Sequence, residues 1–159
     1  MPLHVVRIAD YGIATSAGDT LVTYTLGSCL GISAWCPLLG IGGLVHCLLP
    51  LARVSPQKAK ERPGMFVSSG LPALFKALIA RGAKREYLVL KAAGGASLLG
   101  DDASFQTGPR NIAALRGMLE RNNLHLDAAD LGGNTPRTML LDVASGQVRI
   151  KTPTKVTEL

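Results

Sequence analysis

The sequence predicts an α/β (α+β) fold, a sandwich of mixed β-sheets with two main helices, in one domain over residues 1–159. Three observations predict it. Short apolar runs bounded by Gly, Pro and Ser recur along the chain and read as strands joined by turns. Two segments instead repeat their apolar residues at helical spacing. With 159 residues the chain can bury roughly two thirds of the surface its unfolded form exposes, without a disulfide or metal staple.

Leu21 to Tyr24 reads as a strand running into a turn at Gly27-Ser28. From Thr25 to Ala52 the chain, TLGSCLGISAWCPLLGIGGLVHCLLPLA, then carries no Asp, Glu, Lys or Arg. Such a run exceeds the length of a membrane helix, about 20 residues. Pro37 would break that helix near its middle, and Gly27, Gly31, Gly40, Gly42 and Gly43 would each weaken it by roughly 1 kcal/mol relative to alanine. No Lys/Arg cluster precedes the run to orient it in a bilayer, so the chain is not expected to span a membrane.

A hairpin accounts for the run better. Its strands are Cys29 to Cys36 and Ile41 to Leu48, and Pro37-Leu38-Leu39-Gly40 is the turn. Pairing Cys36 with Ile41 sets Gly31 opposite His46 and Cys29 opposite Leu48. Alternation then gathers Cys29, Gly31, Ser33, Leu44, His46 and Leu48 on one side. Leu30, Ile32, Ala34, Cys36, Ile41, Gly43, Val45 and Cys47 fall on the other, and a one-residue slip would invert one strand's set.

Pro50 to Gly64 is polar, basic and proline-bearing, and reads as a loop. Leu71, Leu74, Phe75, Leu78 and Ile79 mark the first helix, with Ser68 or Ser69 as start and Gly82 as stop. Tyr87 to Ala92 reads as a strand ending at Gly94-Gly95. The second helix has Pro109 near its first turn and Ile112, Leu115, Met118 and Leu119 on its buried stripe. Leu124 to Ala128, Thr138 to Val143 and Gln147 to Lys151 complete the strands, the last two joined through Ala144-Ser145-Gly146.

The formal charge of +6 favours acidic partners, but aromatics make up only 4% of the chain and do not interleave with its basic stretches. Nucleic acid is therefore not the expected partner. Three cysteines cannot pair completely, and MPLHVVRIADYG lacks the basic start and apolar core of a secretory signal, which points to the cytoplasm.

Thr23, Cys29 and His46 are the polar groups that could meet at the mouth of the hairpin. A thiol attacks as thiolate, and a histidine in reach lowers its pKa and carries the proton to a leaving group. The Thr23 hydroxyl or a backbone carbonyl could hold the imidazole's tautomer. Backbone amides of Gly27, Ser28 and Cys29 could form an oxyanion hole. Against this stands the ordinary behaviour of a buried cysteine as a small hydrophobe and of a lone histidine as a satisfied core residue. For Cys36 and Cys47 the core role is expected. A zinc site from Cys29, Cys36, His46 and Cys47 has suitable ligand types, but lacks close-paired spacing and splits across two faces. Gly94-Gly95-Ala96-Ser97 and Gly132-Gly133-Asn134 lack the P-loop lysine and read as tight turns.

LVTYTLGSC (Leu21 to Cys29), GIGGLVHCLLP (Gly40 to Pro50), KAAGGAS (Lys91 to Ser97), TGPRNIAAL (Thr107 to Leu115) and DLGGNTPR (Asp130 to Arg137) resemble, in order and spacing, the chemotaxis family CheD. The resemblance implies a fold like the cysteine deamidase domain of cytotoxic necrotizing factor toxins. It implies hydrolysis of receptor glutamine side chains to glutamate through a thioester, with Cys29 as nucleophile, His46 as base and Thr23 as third member. No cofactor or metal is implied. The implied partners are the cytoplasmic helices of chemoreceptors and a CheC-type phosphatase. Cys36 replaces a common aspartate, and Phe66-Val67-Ser68 a common aromatic-Ala-Asp, both outside the triad. Rival expectations are a non-enzymatic adaptor of the same fold and a transglutaminase-like hydrolase.

Overall fold

The computed structural model describes residues 2–97 and 106–159. Two five-stranded sheets lie face to face, and two helices cover the far side of one of them. The outer sheet contains β1 (Leu3–Val5), β3 (Thr20–Leu26), β8 (Arg137–Asp142), β9 (Val148–Lys151) and β10 (Val156–Glu158), in the order β1-β3-β8-β9-β10. The central sheet contains β2 (Tyr11–Ala14), β4 (Leu30–Cys36), β5 (Ile41–Cys47), β6 (Val89–Gly94) and β7 (Ala128–Leu131), in the order β2-β5-β4-β6-β7. Both sheets are mixed: β1 runs parallel to β3 and β7 parallel to β6, while the other pairs are antiparallel.

The uncharged run is the hairpin β4–β5, and its register is the expected one. Cys36 pairs with Ile41 and Gly31 with His46. Both strands sit in the interior of a sheet covered on both faces, so every residue of β5 is buried and the stretch reads as continuously apolar rather than alternating. Leu30, Ile32, Ala34, Cys36, Ile41, Val45 and Cys47 face the helices in one core. Cys29 and Leu44 face the outer sheet in a second, with Leu21, Leu26, Met139 and Ile150. No helix among the described residues is long and apolar enough to cross a membrane.

The helical layer is α2 (Val67–Ile79) and α3 (Thr107–Arg121), preceded by a short α1 (Pro56–Glu61). Leu71, Leu74, Phe75 and Leu78 of α2 and Leu115, Met118 and Leu119 of α3 fill the core against β4 and β5. α2 lies close to β5 because position 43 has no side chain: a Cβ there would come within 2.7 Å of Ile13 Cδ1 and closer still to Leu74 Cδ1.

Four expectations need correction. Residues 50–64 are not a plain loop but hold α1 between two 3-10 turns, Ala52–Val54 and Pro63–Met65. Pro56 at the first turn of α1 was the available signal. Neither serine starts α2, which begins at Val67. The Ser68 hydroxyl instead accepts from Ala52 N–H, and that of Ser69 donates to the Pro63 carbonyl, fastening the preceding segment. The strand expected from Tyr87 runs from Val89. The one expected over Leu124 to Ala128 runs from Ala128 to Leu131, because Leu124 and Leu126 pack against the helical core and pairing with β6 begins only at Ala128. β1, β2 and β10 were not foreseen; β1 is short and wholly exposed, so burial leaves no pattern to read.

Candidate active site

Three elements converge between the sheets. Thr23 points inward from β3, paired with Met139 of the inter-sheet core, and is fully buried. His46 points inward from β5 with 1% of its surface exposed. Cys29 ends the Gly27–Cys29 turn just before β4, two residues from the Gly31 that faces His46, and lies in the same inter-sheet core at 8% exposure. The thiol and the imidazole therefore share one face of the central sheet, as alternation requires. Cys47, next to His46 in sequence, faces α2, where a Cβ on Gly70 would stand 3.0 Å from its Sγ. Cys36 faces the helices as well. The four groups considered for zinc thus lie on two faces of the sheet.

Hydrogen bonds fix the state of the imidazole. Thr23 Oγ1 has one proton, and donates it to the Val6 carbonyl at 2.7 Å. At 2.6 Å from His46 Nδ1 the same oxygen can then only accept, so Nδ1 carries the hydrogen. Nε2 is left with its lone pair, buried and without a hydrogen-bond partner among the described residues. The backbone is held as firmly, since Ala9 N–H donates to the His46 carbonyl and His46 N–H to that of Asp10. A neutral histidine with a buried, unengaged Nε2 is a base without a proton.

Electrostatics correct the expected charge state. Burial pushes the imidazole down to about 4 and the Cys29 thiol up, the latter opposed in part by the residue's own backbone N–H. The resting pair is thus a neutral thiol and a neutral imidazole, not a thiolate lowered by its neighbour. Burial pushes Cys47 up far more strongly.

The Gly27–Cys29 turn is clamped from β6. Gly95 N–H donates to the Cys29 carbonyl and Ala96 N–H to that of Gly27. This contact needs glycine at 94, whose φ is +111° and where a Cβ would overlap the Cys29 carbonyl oxygen. Gly132 N–H in turn donates to the Gly94 carbonyl and Ser97 N–H to that of Gly133, so both glycine pairs are structural turns. Gly27 is lost to the expected oxyanion hole, because its N–H donates to the Thr25 carbonyl at 3.1 Å. The amides of Ser28 and Cys29 remain.

The model for CheD, chemotactic sensory transduction, matches residues 48–152. A protein of Syntrophus aciditrophicus named probable chemoreceptor glutamine deamidase CheD 1 is 41% identical over 92% of this chain and 92% of its own. Probable chemoreceptor glutamine deamidase CheD 2 of Anaeromyxobacter dehalogenans is 39% identical over the full length of both chains. The chain belongs to the CheD family. Among solved structures, a Neisseria meningitidis protein of family DUF152 overlays with a TM-score of 0.41 at 13% identity, over 85% of this chain and 64% of that one. That overlay is too loose to bear on function.

The CheD model begins at residue 48, after Thr23, Cys29 and His46, so the roles of those residues are argued from geometry. Two contributors escaped the sequence reading. The Val6 carbonyl could not be found without β1. Asn111 could have been, because it shares the apolar stripe of α3 with Leu115 and Met118 and is the one buried side chain there that carries an amide.

Proposed function

We propose that this protein hydrolyses glutamine side chains of chemoreceptors to glutamate, with Cys29 as nucleophile, His46 as general base and acid, and Thr23 as the group that sets the histidine tautomer. The observation that carries the reading is the Thr23–His46 pair at 2.6 Å, which leaves Nε2 unprotonated on the face it shares with Cys29. The names of the relatives support the substrate class.

As substrate enters, Nε2 takes the thiol proton while Sγ bonds to the carboxamide carbon. Electrons displaced onto oxygen face the Ser28 and Cys29 N–H groups. Collapse breaks the C–N bond as Nε2–H protonates departing ammonia. Water, deprotonated by His46, then attacks the thioester, and glutamate leaves with the thiol restored. The substrate is met in the cytoplasm on receptor helices, and a CheC-type phosphatase is the further partner this reading carries.

The test is mass spectrometry of receptor cytoplasmic fragments incubated with the protein. A gain of about one dalton per modified glutamine is expected, and none with Cys29→Ala. Retained turnover in Cys29→Ala would rule out the thiol mechanism, while binding without any mass gain would favour the adaptor. Amine incorporation in place of hydrolysis would mark a transglutaminase-like reaction.

A further inference from the structure

Asn111 is fully buried in the first turns of α3, yet both of its amide hydrogens are spent on the site. Nδ2 donates to the Ser28 carbonyl at 2.9 Å and to the Leu48 carbonyl at 3.2 Å. Because both partners are acceptors, the NH2 end and not Oδ1 must face them. Ser28 immediately precedes the nucleophile, and Leu48 lies two residues beyond His46. One side chain thus ties the Cys29 turn to the histidine strand.

The Ser28 bond has a stereochemical consequence. In a trans peptide the C=O and N–H point in opposite directions. With the Ser28 carbonyl drawn toward α3, the Cys29 N–H is turned away from the helix, and the residue's own backbone N–H opposes part of the upward push that burial gives its thiol. The Cys29 carbonyl is held on its other side by Gly95 N–H. Asn111 Oδ1 meanwhile is buried without a partner among the described residues. An apolar side chain on this stripe would avoid that desolvation cost, so packing alone does not explain the amide.

We propose that Asn111 is a positioning residue that orients the Ser28–Cys29 peptide, aiming the Cys29 N–H at the oxyanion formed on the substrate carboxamide. The proposal rests on the deamidase reading. Asn111 touches no reacting atom; it acts through the peptide it holds.

Asn111→Ala and Asn111→Asp both remove the two donors. Each is expected to lower kcat about 100-fold, the loss typical of one oxyanion donor. KM should stay within about twofold of wild type, since the lost contact forms in the transition state. The alkylation profile of Cys29 should move to higher pH as its N–H leaves the thiol. A purely structural role would leave that profile and the kcat of folded molecules unchanged. Wild-type turnover with folded Asn111 variants within about threefold in kcat and an unshifted profile would overturn this proposal alone. Absence of turnover in wild type would overturn the deamidase reading and this proposal with it. Should both variants fail to fold, NMR of the wild type decides. The Asn111 side-chain NH2 signals are expected to be protected from exchange and to move when Cys29 is alkylated. Freely exchanging, unmoved signals overturn the proposal.

Discussion

The two faces of the β4–β5 hairpin are built from alternate residues of the same strands, yet they do different work. Toward the helices, Leu30, Ile32, Ala34, Cys36, Ile41, Val45 and Cys47 make an apolar core. Toward the outer sheet the same strands present Ser33, whose hydroxyl donates to the Lys91 carbonyl, and His46, which meets Thr23 across the layer. The contrast is sharpest between two thiols. Cys47 is fully buried on the helix-facing side, away from His46, whereas Cys29 sits at a strand entrance beside its own N–H and on the face of an unprotonated Nε2. Burial alone makes a cysteine inert. On the proposed mechanism, what separates the Cys29 thiol from a core residue is the base on its face of the sheet.

The largest effect expected from breaking this contrast is at His46. His46→Gln should cut deamidation by about 100- to 10,000-fold, while Cys47→Ala should leave turnover per folded molecule nearly unchanged and lower only the thermal midpoint. Equal losses in the two variants, measured by the mass-shift assay with folding checked by circular dichroism, would erase the distinction between the faces.

Thr23→Val comes next. It keeps the shape, frees Nδ1 and leaves the Val6 carbonyl unpaired, at an expected stability cost of about 1–3 kcal/mol. Turnover should fall further than that loss of folded protein explains, because the tautomer is no longer set. A variant as active as wild type, once scaled to its folded fraction in urea titrations, would remove Thr23 from the site.

The pH dependence of stability gives a third check. His46 is held at about 4 in the folded protein against 6.5 when exposed, so the unfolded chain binds the extra proton between those values. Stability should be full above pH 6.5 and decline as pH falls toward 4, by up to about 3 kcal/mol from this group. The decline should be missing from His46→Gln. The acid limb of kcat/KM should lie below about pH 5, because the base stays neutral until then. Denaturant titrations that superimpose across this range would contradict the buried neutral imidazole.

The smallest effect is in labelling. Iodoacetamide should modify Cys29 before Cys47, with the Cys29 rate rising only toward alkaline pH, since burial raises both thiols and Cys47 the more. Peptide mapping after partial alkylation reads the order. Rapid labelling of Cys29 at neutral pH would mean that a thiolate is already present at rest.

Much of this was legible in residue order. The Pro37–Gly40 turn points to one short hairpin, and once Cys36 is set opposite Ile41 alternation divides its residues between two faces. The covalent pleat alone requires that His46 and Cys47 lie on opposite sides, whereas Cys29 joins the His46 side only in the register that sets Cys36 opposite Ile41. Helical spacing likewise exposed α2 and α3. Less visible were the elements whose partners lie far off in sequence. β1 has no burial pattern, and its parallel pairing with β3 exists only once the outer sheet forms.

The amino-acid sequence by itself determined which side chains of each strand alternate to the same face, because that follows from backbone geometry over a few residues. Only the tertiary structure decided their chemical state. The Nδ1 tautomer depends on the Val6 carbonyl just after β1, the orientation of the Cys29 peptide on an amide from α3, and the neutral charge of the pair on burial between the sheets. Protonation answers to every group within a few ångströms, and here those groups come from strands and a helix that only folding assembles.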